Sequence, residues 1–341
     1  MKIVPVQEAV GMVLCHDITQ IIPGKFKGRA FKKGHVVRQE DIPKLLDIGK
    51  QNLYVWEVNK DLLHEDEAAI RIASSAAGSG ITLTEPKEGK VNLIANHSGL
   101  LKVNTEVLYS INEMEEVMFA TLHTNQIVSE NKAVAGTRII PLVINANKIQ
   151  NIEKICRNNY PLVEVKPFQA KRVGIVTTGS EVYHGRIQDK FGPVVTRKIE
   201  ALGSTVFRQI FVSDSIEMIV DAINQLLREG AELITVTGGM SVDPDDVTPA
   251  GIRAAGGRIV TYGAPTLPGA MFMVAYLGKV PVLGLPGCVM YSRSSIFDLV
   301  VPRIMAGEEI TRRDIVALGH GGLCVNCQEC RYPDCGFGKG F

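Results

Sequence analysis

Arg172 to Thr177, Leu233 to Val236 and Val280 to Leu285 are close to continuously apolar, and each runs into a turn built from threonine, glycine or proline. A strand that is apolar on both faces must be covered on both faces, which is the condition of a parallel sheet whose crossover connections lay helices on either side. The intervening sequence has the matching helical spacing. Pro193 to Leu202 reads as a short helix stopped by Gly203. Ile216, Ile219, Val220, Ile223, Leu226 and Leu227 recur on one helical face, with Gly230 as the stop and Asp214 with Glu217 at capping-box spacing. Thr205 to Val212 reads as another strand, Pro249 stands at a helix start, and a long apolar helix is predicted after Leu285. This alternation predicts an α/β fold with a doubly wound, mostly parallel sheet.

The other segments are read as smaller β-rich structure. At 341 residues the chain has length for two or three domains. Gln39 to Ile48 is helix-like and leads through Gly49 into a strand over Asn52 to Trp56. Asp61 to Ile72 is predicted as a helix with His64, Glu65, Asp66 and Glu67 on a solvated face, and Ala73 to Gly80 as a loop. Arg138 to Ile144 is the strongest strand in the middle of the chain. A net charge of +1 excludes a general nucleic-acid binder, so Lys25, Lys27, Arg29, Lys32 and Lys33 are read as a solvated loop. The N-terminus lacks a signal-type apolar region and no run of about 18 apolar residues occurs, so a cytoplasmic protein without membrane contact is expected.

Ligands of an open parallel sheet bind outside the carboxyl ends of its strands. Four loops meet that description: Thr177-Thr178-Gly179-Ser180-Glu181 continuing to Gly185 and Asp189; Thr237-Gly238-Gly239 continuing to Ser241, Asp245 and Asp246; Leu267-Pro268-Gly269-Ala270; and Leu285-Pro286-Gly287-Cys288. Glycine turns present backbone N–H groups to anions. Carboxylates beside such a site are repelled unless a cation lies between, which points to Mg²⁺ and a phosphorylated small molecule. Separately, Cys324, Cys327, Cys330 and Cys335 follow the spacing C-x2-C-x2-C-x4-C. In a reducing compartment that spacing reads as a metal centre, a [4Fe–4S] cluster or a tetrahedral Zn²⁺.

The segment from about 172 to 306 resembles the molybdopterin-binding domain shared by MoeA, MogA, gephyrin and CinA. The resemblance rests on VTTGSEV, GRIQD with the helix ending in ALG, VTGGMSVDPDDVTP, and GLPG. It implies binding of molybdopterin, or its adenylylated form, across the four loops. It further implies that Asp189 and Asp246 are the catalytic carboxylates that position Mg²⁺ and a phosphate or pyrophosphate. The Gly238 and Gly239 backbone, Ser241, Thr178 and Ser180 are donors in that scheme, and Thr177, Gly179, Glu181, Asp245, Pro268, Gly269, Pro286 and Gly287 complete the binding loops. The activity implied is adenylyl or molybdenum transfer in molybdenum cofactor biosynthesis, in a homo-oligomer that serves a molybdoenzyme. Lys33 to Ile42 with Leu45, Gly49 and Val55 is similar to the small MoeA-type β element. The expected organisation is therefore that element at 1–57, a mixed or β-rich domain at 58–168, the molybdopterin-binding domain at 169–308 and a cysteine-rich tail at 309–341.

The chain departs from MoeA in three places. Gly179-Ser180-Glu181 replaces GDE, Pro268-Gly269-Ala270-Met271 lacks the lysine of a PGKP-type loop, and Gly287-Cys288-Val289 replaces the end of GLPGNP. Fewer lysines mean less direct charge for polyphosphate or molybdate. Two alternatives to transfer follow: a non-catalytic cofactor carrier or sensor, and a CinA-like hydrolase of nucleotide pyrophosphates.

Overall fold

The computed structural model describes residues 2–55 and 61–340, so the end of the predicted Asn52 to Trp56 strand lies outside the described residues. The chain divides into two units, one of Met1–Ala95, Val103–Leu122 and Asn131–Glu164, the other of Asn96–Lys102, His123–Glu130 and Val165–Phe341.

In the first unit, Lys2–Pro5 pairs antiparallel with Asn52–Val55, and Ile18–Ile22 forms a hairpin with Phe26–Phe31. Val4, Leu14, Ile18, Leu45 and Leu53 close a small core beneath them. A four-stranded antiparallel sheet follows in the order Ile81–Leu83, Val91–Ala95, Ala133–Ile139, Val117–Thr121. Three expectations are corrected in this unit. Residues Leu62–His64 are a strand, and the helix runs Glu65–Ala76 through the segment read as a loop, because Ala69, Ile72, Ala73 and Ala76 are its buried face. His64 is buried rather than solvated: its Nδ1 accepts from the Asp66 N–H at 3.2 Å as the helix cap, and burial pushes its pKa down. The predicted Arg138 to Ile144 strand is two strands, ending at Ile139 and resuming at Val143, with Ile140 63% exposed between them beside Pro141. Within the basic cluster Lys33 and Arg29 are ion-paired, to Asp66 and Asp17.

The second unit contains a sheet of six strands: β1 Arg172–Thr178, β2 Thr205–Val212, β3 Leu233–Thr237, β4 Arg258–Tyr262, β5 Met273–Leu277 and β6 Val280–Leu285. Their spatial order is β2-β1-β3-β6-β5-β4. β2, β1, β3 and β6 are mutually parallel, and only the β6–β5–β4 edge is antiparallel. The strand alternation divides the core in two. Val173 and Ile175 join the cluster made with Val195, Ile199, Phe297 and Val300, whereas Val176, Ile234 and Val236 join the one made with Ile219, Ile223, Leu226 and Ile252. After the short α1 Ser180–Tyr183, one face is thus covered by α2 Phe191–Glu200 and α6 Ile296–Met305, the other by α3 Ile216–Arg228 and α4 Thr248–Ala254. Each such aliphatic side chain contributes about 1.5–3 kcal/mol when fully buried, which fixes the doubly wound layering expected from sequence.

Two details differ from expectation. The N-cap of α3 is Ser215, whose Oγ accepts from the Met218 N–H at 3.3 Å. Asp214 instead turns back, and its Oδ2 accepts from the Ser180 N–H at 2.8 Å. The long helix expected after Leu285 is broken into α5 Cys288–Tyr291 and α6, because Ser295 and Asp298 form a capping box that starts the second helix. A last helix, α7 Arg312–Ala317, precedes the tail. Among the described residues no helix is long and apolar enough to cross a membrane.

Candidate functional site

The carboxyl ends of β1 and β3 open onto a cavity of ≈ 550 Å³. β1 supplies Thr177 and Thr178, the turn after β3 supplies Gly238, and the long connection from β1 to α2 supplies Glu181, Asp189 and Lys190. Phe191 and Met290 add apolar wall.

Hydrogen bonds organise the floor. Gln209, reaching across from β2, donates its Nε2 amide to Thr177 Oγ1 at 2.8 Å and to Asp189 Oδ2 at 2.7 Å. Asp189 Oδ1 accepts from the Phe191 N–H at 2.8 Å and from the Gly192 N–H at 3.1 Å. The carboxylate therefore caps α2, and its charge sits where the helix dipole favours it. Thr248 at the start of α4 donates Oγ1 to the Gly238 carbonyl at 2.9 Å and lies 3.3 Å from Thr178 Oγ1, tying the glycine turn to both strands. Gly238 has φ +88°, and a Cβ there would lie 2.5 Å from the Thr178 carbonyl oxygen, so only glycine fits this close approach.

The structure brings Thr177, Thr178, Glu181, Asp189 and Gly238 to one cavity. Gly179, Ser180 and Gly239 lie in the same turns; Ser180 Oγ is engaged with Ser213 Oγ at 2.8 Å. Ser241, Asp245, Asp246, Pro268, Gly269, Pro286 and Gly287 are not among the lining residues. Asp246 is partly buried and closes its own turn, its Oδ2 accepting from the Asp243 N–H at 3.1 Å, while Asp245 and Ser241 are exposed. Lys190 and Gln209 escaped sequence reasoning. Lys190 places a cation at the cavity edge, in the connection from β1 to α2.

The tail folds against a different part of this unit. The Leu267 N–H donates to the Gly322 carbonyl and the Cys324 N–H to the Leu267 carbonyl, each at 2.8 Å, and Tyr332 Oη donates to the Asp298 carbonyl at 2.7 Å. The Tyr332 phenol is pushed well above its usual range by burial first and then by the negative charge of Asp298, Cys335 and Cys330 nearby. A second cavity of ≈ 680 Å³ lies here, and Cys288, Cys324, Cys327, Cys330, Cys335 and Pro268 are on its wall. Helix α5 separates the two chambers, with Met290 lining the first and Cys288 and Tyr291 the second. All seven cysteines are free, and among the described residues no group of three or more His, Cys, Asp or Glu side chains is arranged to hold a metal ion.

The family model described as a probable molybdopterin binding domain matches residues 174–306, from within β1 to the residue that follows α6. Residues 174–306 carry this domain. Residues 3–57 match a domain of unknown function, DUF8806. Among curated relatives, the molybdopterin adenylyltransferase of Pyrococcus furiosus is 26% identical over 92 residues, 27% of this chain and 54% of its own length. A CinA-like protein of Mycobacterium sp. (strain MCS) is 36% identical over 87 residues, 26% of this chain and 21% of its own. The chain thus spans about half of the first relative and about a fifth of the second. A crystal structure of the molybdopterin biosynthesis enzyme MoaB from Thermus thermophilus aligns at TM-score 0.34 and 22% identity, over 40% of this chain and 98% of that one. CinA from Thermoplasma acidophilum aligns at TM-score 0.31 and 20% identity, over 35% and 89%. The matched segment, 174–306, contains nearly all of the six-stranded sheet, its two helical layers and the residues that line the ≈ 550 Å³ cavity.

Proposed function

We propose that the chain acts in molybdenum cofactor biosynthesis by binding molybdopterin, or its adenylylated form, in the β1–β3 cavity. The observation that carries this is the convergence of Thr177, Thr178, Asp189 and Gly238 on one cavity inside the segment that matches the domain. In this reading the Thr178 hydroxyl and the backbone of Gly238 and Gly239 donate to phosphate oxygens, and Lys190 supplies the countercharge. Phe191 and Met290 offer apolar surface to the flat pterin. Asp189 is a positioning residue: it holds the start of α2 and, through Gln209, the orientation of Thr177.

Mg²⁺ is ordinarily held by one or two carboxylates together with substrate phosphates, so it does not require a preformed cluster of protein ligands. Asp246, on the loop that follows Gly239, would hold it beside the bound phosphate, where it would neutralise phosphate charge for adenylyl or molybdenum transfer. The cysteine tail is a thiolate metal centre, [4Fe–4S] or Zn²⁺, with Cys324, Cys327, Cys330 and Cys335 as the motif's ligands. In the same reading copies of the chain associate, and the cofactor passes to a molybdoenzyme.

Calorimetry with molybdopterin tests the site. Binding is expected to depend on Mg²⁺, and Asp246→Ala is expected to weaken it at least about tenfold, the loss of one charge-assisted contact. Binding that ignores Mg²⁺, or that Asp246→Ala leaves unchanged, removes the assignment. The 36% identity to a CinA-like protein favours a second reading, Mg²⁺-dependent hydrolysis of a nucleotide pyrophosphate in the same cavity. Turnover of ADP-ribose without molybdopterin binding would select it.

A further inference from the structure

The tail motif offers four thiols, but the fold brings a fifth to the same cavity. Cys288 belongs to α5, not to the tail, and lines the ≈ 680 Å³ chamber together with Cys324, Cys327, Cys330 and Cys335. We propose that the thiophilic metal centre is held by Cys288, Cys324, Cys330 and Cys335, with Cys327 left outside the ligand set. The proposal rests on the reading of the tail as a metal centre and changes which residues make it.

Three observations favour this set. Cys327 is the exposed member of the five, whereas the other four are partly buried. A ligand on the outer turn would leave the centre in solvent, while the inner four enclose it against the domain. Second, the tail is fastened to the body at the inner cysteines. The Cys324 N–H is bonded to Leu267, Ser294 Oγ lies 3.9 Å from Cys330 Sγ, and Tyr332, between Cys330 and Cys335, is bonded to Asp298. Third, Cys288 stands on a helical turn, in which the Ser292 N–H donates to the Cys288 carbonyl at 2.8 Å. A ligand on a regular element is held more exactly in place than one on a loop. Arg293 and Arg331 also line the chamber, and Arg293 Nη1 donates to the Gln328 carbonyl at 3.2 Å. Four thiolates around a divalent ion leave a net charge of −2, which two guanidinium groups offset. Since no three thiols converge in the described residues, binding must draw the tail turns inward.

The test uses the full chain, reduced and free of oxygen, titrated with Co²⁺ as a spectroscopic stand-in for a tetrahedral divalent ion. Wild type is expected to show the thiolate-to-cobalt charge-transfer band of four thiolates, and Cys327→Ser to match it in intensity and affinity. Cys288→Ser is expected to lose about one quarter of the band intensity per cobalt and about tenfold or more in affinity. A measurement on unmodified protein guards against a misfolded variant: after Co²⁺ loading, alkylation followed by mass spectrometry should find Cys288 protected and Cys327 labelled. If wild type takes up no cobalt, the metal-centre reading of the tail falls. If it takes up cobalt but Cys288 remains labelled and Cys288→Ser behaves as wild type, only the present assignment is overturned.

Discussion

Gly238→Ala places a methyl group where the backbone has no room for one. The residue has φ +88°, and the added Cβ would meet the Thr178 carbonyl oxygen at 2.5 Å and Thr178 Oγ1 at 2.7 Å. A left-handed conformation costs a non-glycine residue roughly 1–2 kcal/mol, and forcing an extra carbon into a packed site costs about 1–3 kcal/mol more. The neighbour that must give way is main chain at the end of β1, a strand paired on both sides. A loss of about 2–5 kcal/mol is therefore expected, equivalent to exchange faster by thirtyfold to several thousandfold for amides that open with the sheet. Hydrogen–deuterium exchange read by mass spectrometry is the suitable assay, because it reports on β1 and β3 rather than on a chain of two units as a whole. Gly287→Ala is the matched control. That glycine has φ −53° and ψ −27°, and a Cβ there meets nothing within 4 Å, so alanine should be neutral or stabilising by up to about 1 kcal/mol. The reasoning fails if Gly238→Ala exchanges like wild type, or if the two substitutions cost the same.

Two further outcomes follow from the helix cap and the ion network. Ser215→Ala should destabilise α3 by about 1 kcal/mol, whereas Asp214→Ala should leave α3 amides protected and speed exchange around Ser180 instead, since Asp214 bonds the Ser180 N–H. For Glu308 and Asp314, burial works to raise the pKa, but hydrogen bonds, from Lys102 and Arg303 to Glu308 and from Thr311 and Arg303 to Asp314, prevail and hold both below the usual carboxylate values. Depressed carboxylates stabilise the fold fully above the unfolded pKa of about 4 and lose that contribution as the pH falls through the lower folded values. Denaturation midpoints should drop through this acid range, and Glu308→Gln should be less stable at neutral pH with a shallower acid decline.

The sheet was legible because its strands are defined by local composition. Thr205–Val212 and Val280–Leu285 have the bounds read from sequence, and the turns after β1 and β3 were located by their threonines and glycines. What escaped depends on which groups meet in space. Ala73 and Ala76 have the composition of a linker, yet small residues are what a tightly packed helix face needs. Asp214 has the spacing of a cap but bonds a residue 34 positions earlier, and nothing local marks that choice. Likewise Lys190, next to Asp189 in the connection from β1 to α2, reaches the cavity without any local mark of it, and Cys288 shares a cavity with the tail cysteines only because the segment around Leu323 returns to Leu267.

Helix α5 is one turn long, yet its residues face two chambers. Anything that rotates this turn to improve the grip of Cys288 also displaces Met290 from the wall of the neighbouring cavity. Occupancy of one chamber and affinity in the other are then linked quantities, and by thermodynamic reciprocity each ligand changes the other's affinity by the same factor. Substitutions at positions 288 and 290 should consequently be non-additive, and a titration of either chamber has a defined meaning only when the state of the other is held fixed.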